Sequence, residues 1–143
     1  MTYCVAMKLD SGMIFLSDSR TNAGVDHIAT FQKMYFFTQH DERVIVMMSA
    51  GNLATTQSIV SLLNARIKDT EHNILTVRSL YEAAEMVGQT MREVVARDAQ
   101  GQQSQGVDFS CSLILGGQIR GESMRLFNIY PQGNFIEATC DTP

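Results

Sequence analysis

The sequence predicts an α+β domain: antiparallel strands in sheets, with paired helices gathered on a face. Three observations carry this. The chain opens on a two-residue apolar alternation. Its middle holds two apolar stripes at helical spacing. β-rich segments separated by glycine and proline turns return after them. The predicted order is four strands, two helices and three strands.

Residues 3–9 alternate, with Tyr3, Val5, Met7 and Leu9 on one face and Cys4, Ala6 and Lys8 on the other. Asp10-Ser11-Gly12 reads as a turn, and Met13-Ile14-Phe15-Leu16 as a strand returning beside the first. Both faces of this hairpin are largely apolar, which predicts a place inside a layered structure. Residues 21–26, with Asn22, Gly24 and Asp26, read as a loop. Residues 28–38 are β-rich and contain Lys33, and Arg43 to Ser49 is a buried strand after an Asp41-Glu42 turn. Leu53, Ile59, Val60, Leu63 and Ile67 fall at helical spacing, with Asn52 as N-cap. Leu80, Ala84, Val87, Met91 and Val94 make a clearer stripe, on a helix running to about Asp98 with Met86 and Met91 as core filler. Residues 99–106 form a polar loop. Strands follow over Phe109 to Leu115, ended by Gly116-Gly117, over Ser123 to Tyr130, and from Phe135 after the Pro131-Gln132-Gly133-Asn134 turn.

The chain has 143 residues, 45% of them apolar, with two prolines and no tryptophan. This suits one folded domain. The net charge is −4, and no Lys/Arg run appears, which argues against nucleic acid and anionic membranes as partners. Cys4, Cys111 and Cys140 are widely spaced and lack a CxxC pair, so neither a disulfide nor a metal is expected. No cofactor is expected either. His27, His40 and His72 stand singly in polar stretches, and Glu82, Glu85 and Glu93 read as the wet face of a helix. The opening segment, broken by Lys8 and Asp10, is not a signal peptide, and no segment reaches membrane-spanning length. The expected location is the cytoplasm.

Chemistry enters at Thr2. Removal of Met1 would leave a hydroxyl and a free α-amine on one residue, so the threonine could be a nucleophile with its own amine as base. The predicted hairpin returns Asp18 of Ser17-Asp18-Ser19-Arg20 to the start of the chain. Lys33 follows on the next β segment. Ser49-Ala50-Gly51-Asn52 marks a strand-to-helix junction, where backbone N–H groups suit an oxyanion. Taken singly, these residues have plainer readings. Asp18 caps a turn with Arg20 as its partner, Lys33 is a solvated edge charge, and Gly51 is a helix start that needs small residues.

Together and in this order, Thr2, Asp18, Gly24, Lys33, Ser49-Ala50-Gly51, two helices and a later Gly-Gly resemble the proteasome β-subunit family of N-terminal nucleophile hydrolases. Met-Thr-Tyr-Cys-Val-Ala-Met-Lys-Leu-Asp and Ser-Asp-Ser-Arg-Thr-Asn-Ala-Gly-Val-Asp are most similar to its bacterial Anbu branch, the ancestral β-subunit. The resemblance implies a four-layer sandwich, two antiparallel sheets between helical layers. It also implies that residues 1–143 are an incomplete fragment of a single proteasome-type domain, since the family's chains continue further.

The implied activity is that of a threonine-type endopeptidase in a homo-oligomer, hydrolysing bonds in a peptide or unfolded polypeptide. Thr2 Oγ would attack the carbonyl, the Thr2 amine would accept the proton, Lys33 would ease deprotonation, Asp18 would hold Lys33, and the Gly51 N–H would bind the oxyanion. The sequence does not identify an ATPase partner. Two alternatives stay open, a non-catalytic proteasome-like assembly subunit and an N-terminal nucleophile hydrolase acting on a small amide.

Overall fold

The computed structural model describes residues 2–22, 28–99 and 108–139. Gly24, His27, Cys140, Met1 and nearly all of the predicted polar loop before Phe109 lie outside them.

The alternation at the start becomes β1 (Cys4–Leu9) and β2 (Gly12–Ser17), antiparallel from Cys4↔Ser17 to Leu9↔Gly12. A short ribbon follows, β3 (Arg20–Asn22) and β4 (Ile28–Thr30). The sequence predicts a loop over 21–26 and a β-rich stretch over 28–38 that includes Lys33. The chain breaks at 31–33 and resumes as β5 (Met34–Gln39), so Lys33 stands between strands. β5 turns into β6 (Arg43–Gly51) through Asp41, whose φ of 57° a short polar side chain tolerates. Helices α1 (Leu53–Asp69) and α2 (Leu80–Ala99) come next, then β7 (Cys111–Ile119), β8 (Arg125–Ile129) and β9 (Phe135–Glu137).

These strands form a five-stranded antiparallel sheet in the order β5-β6-β7-β8-β9. β6 and β7 pair over their full lengths, from Arg43↔Ile119 to Gly51↔Cys111. Gly116 and Gly117 do not end β7, as the sequence reading had them do, but lie inside it. A Cβ on Gly116 would meet the side chains of Leu126, Met13 and Phe15, and one on Gly117 would collide with the Val44 carbonyl. Gly116 therefore leaves room for the hairpin side chains that lie on the sheet, and Gly117 for the backbone of β6.

The helices cover one face of this sheet. Ile45, Met47, Leu113, Leu115, Phe127 and Ile129 from the strands meet Ile59, Leu63, Leu80, Val87, Met91 and Val94 from the helices, all of them buried. Each such side chain contributes roughly 1.5–3 kcal/mol relative to exposure. The β1–β2 hairpin covers the opposite face, through Met13 and Phe15. The described residues thus build an α+β sandwich of a helical layer, the large sheet and the hairpin sheet. The hairpin's outer face is not enclosed. Tyr3, Met7, Leu9, Ile14 and Leu16 are between 46% and 67% exposed. No helix among the described residues is long and apolar enough to cross a membrane.

Candidate active site

The hairpin closes a gap in sequence. The Asp18 amide donates to the Tyr3 carbonyl at 3.0 Å, and the Tyr3 amide donates to Asp18 Oδ1 at 2.8 Å. Asp18 is therefore fixed to the residue that follows Thr2. Lys33 Nζ donates to both Asp18 oxygens, at 2.9 and 2.8 Å, and to the Arg20 carbonyl at 2.7 Å. Lys33 is 6% exposed. A buried ammonium needs a carboxylate and further acceptors to offset its lost hydration, and all are present. The hydrogen bond from Lys33, followed by that from the Tyr3 amide, holds the Asp18 carboxyl below the ordinary carboxylate range.

The backbone of Lys33 is tied to the large sheet, its carbonyl accepting from the Ser49 amide at 3.0 Å. The Cys4 thiol reaches the Ser49 carbonyl at 3.6 Å. A cavity of about 180 Å³ opens here, lined by Thr2, Cys4, Met48, Ser49, Ala50, Ser112, Leu113, Ile114 and Asn128. Gly51 follows Ala50 at the junction of β6 and α1, with φ of 106°. A Cβ there would stand 2.6 Å from the Ser110 carbonyl oxygen and 2.9 Å from Cys111 Cα, so the position requires glycine.

The structure thus brings Thr2, Asp18, Lys33 and the end of β6 together. One plainer reading fails, because Lys33 is buried and not a solvated edge charge. The Arg20 backbone serves both partners, its amide donating to the Asp18 carboxylate as in a capped turn and its carbonyl accepting from Lys33. Sequence reasoning missed the Tyr3 amide, the Arg20 carbonyl, Ser112 and Asn128. Backbone groups leave no sequence signal, and the other two enter only through strand register. His40 and His72 are exposed, beside Asp41 and Glu82. Among the described residues no three His, Cys, Asp or Glu side chains are grouped to hold a metal.

The profile of the family described as "Proteasome subunit" matches residues 2–140. The chain belongs to the proteasome subunit family. Three solved structures extend the comparison. Anbu (ancestral β-subunit) from Yersinia bercovieri is 62% identical with a TM-score of 0.88, over 98% of this chain and 57% of that one. The helical assembly of the Anbu complex from Pseudomonas aeruginosa gives 54% identity and a TM-score of 0.91, over 98% and 58%. An Anbu (Gly-1) mutant from Hyphomicrobium sp. strain MC1 gives 48% and 0.89, over 100% and 58%. The chain therefore spans a little under three fifths of these proteasome-family relatives. They agree with the Anbu branch that its opening segments resemble. No curated protein matches the chain.

Proposed function

We propose that the protein is a threonine-type endopeptidase of the proteasome family, working from a Thr2 freed of Met1 within a homo-oligomer. The observation that carries this is Lys33, buried and bonded to Asp18, whose carboxylate also grips the amide next to Thr2. A hydroxyl beside a buried ammonium loses its proton more easily, because the cation stabilises the alkoxide. The Thr2 amine takes that proton and later passes it to the leaving amine. Asp18 keeps Lys33 charged and aimed. The Gly51 amide, held by a backbone that admits no side chain, receives the oxyanion. The cavity between Thr2 and β7 lies where a substrate residue would enter, and the substrate is a peptide or unfolded polypeptide. Family membership supports the same reading, as does the helical assembly of the Pseudomonas aeruginosa relative for self-association.

Thr2→Ala and Thr2→Ser test this on fluorogenic peptides. Thr2→Ala loses cleavage with its fold intact, and Thr2→Ser keeps part of it, since hydroxyl and amine both survive. Cleavage by Thr2→Ala at the wild-type rate contradicts the reading. Absence of cleavage by wild-type protein with a free Thr2 favours the assembly subunit.

A further inference from the structure

Three consecutive carbonyls before β7 are captured by the first turn of α1. Asn52 Nδ2 donates to the Asp108 carbonyl at 2.9 Å, Thr55 Oγ1 to the Phe109 carbonyl at 2.9 Å, and the Asn52 amide to the Ser110 carbonyl at 2.9 Å. Capping alone does not require this. A helix start needs only an acceptor for its N–H groups, which Asn52 Oδ1 supplies by accepting from the Thr55 amide at 3.1 Å. The amide nitrogen of Asn52 and the hydroxyl of Thr55, itself 1% exposed, are spent on something else. The clasped segment is the wall against which Gly51 is pressed, through Ser110 O and Cys111 Cα.

We infer that Asn52 and Thr55 are positioning residues for the Gly51 amide, holding residues 108–110 against it so that its N–H keeps one direction. This rests on the reading of Gly51 as the oxyanion donor. The clasp also joins the end of the stretch after α2 to the site, so displacement of residues 108–110 lowers turnover without touching substrate. Fixed donors act in catalysis because they need not reorganise, and an error in placement well under the size of an atom is felt in the rate.

Asn52→Ser separates the two roles, because serine caps as well as asparagine but has no side-chain amide to donate to the Asp108 carbonyl. The test is made on the chain with Thr2 as its first residue. The expected result is a kcat lower by on the order of tenfold, KM within about twofold, and an almost unchanged unfolding midpoint. The Gly51 amide resonance in a ¹⁵N-labelled sample should shift or broaden. Thr55→Val, which removes only the hydroxyl at the same volume, should act in the same direction, and it carries the comparison if Asn52→Ser fails to fold. Wild-type kcat together with an unmoved Gly51 resonance overturns the inference and leaves Asn52 as a cap. If wild-type protein with free Thr2 cleaves nothing, the peptidase reading fails. The Gly51 resonance then decides the clasp alone, moved in its favour or unmoved against it.

Discussion

Asp18 is bonded at once to the Tyr3 amide and to Lys33, and its acidity reports on both. Its carboxyl ionises more readily in the folded chain than in the unfolded one. The stabilisation it gives is therefore complete above the unfolded value, about pH 4, and is lost as pH falls through the lower folded value. Wild-type denaturation midpoints should fall more steeply below about pH 4 than those of Asp18→Asn, which should be less stable at neutral pH. Parallel curves would show that the pair contributes nothing. Lys33→Ala should raise the barrier to peptide cleavage by about 3 kcal/mol or more, read as kcat/KM on a fluorogenic peptide. Gly51→Ala should destabilise the fold by about 1–3 kcal/mol, read from urea midpoints, because it forces a side chain into a positive φ. At this scale the sequence was most informative for residues with chemical side chains. Asp18 and Lys33 are bonded to each other beside the residue that follows Thr2. The depth at which Lys33 is buried was not legible, because burial is decided by what surrounds the break at 31–33.

Helix α2 meets the turn between β8 and β9 at its glycines. A Cβ on Gly88 would collide with the Gly133 carbonyl, and Arg92 Nη1 donates to that same oxygen at 2.9 Å. In an isolated helix Gly88→Ala would be favourable by about 1 kcal/mol. Here the collision with backbone outweighs that gain, and overpacking of this kind costs about 1–3 kcal/mol. A lowered urea midpoint is the expected result, and a raised one would mean that the turn yields freely. The helices were the most legible elements. Asn52 caps α1, and the stripe from Leu80 to Val94 is buried along α2. Strand ends were less so. Glycines at 116–117 read as a terminator, yet the pairing of β7 with β6 and β8 carries the strand through them. Short strands such as β3 hold too few residues for alternation to register.

Across the whole molecule the apolar surface is uneven. Of the large apolar side chains that are exposed, Tyr3, Met7, Leu9, Ile14 and Leu16 share the outer face of the hairpin. A sequence apolar on both sides of a hairpin foretold burial on both, and one side is covered here. Surfaces of this kind draw chains together. Sedimentation of the 143-residue chain should show self-association, and Met7→Lys with Leu16→Lys should shift it toward monomer. A wild-type chain that sediments as a monomer would contradict this. The layered architecture was readable from element order, whereas how far the hairpin would be enclosed depends on surfaces that no local pattern encodes. The central claim is that Thr2 acts through its own amine. It is tested most directly by comparing protein released from a cleavable fusion with Thr2 as its first residue against protein that keeps Met1, on one fluorogenic peptide set. Turnover is expected from the first form and none from the second, with identical folds. Equal rates from both forms would contradict it.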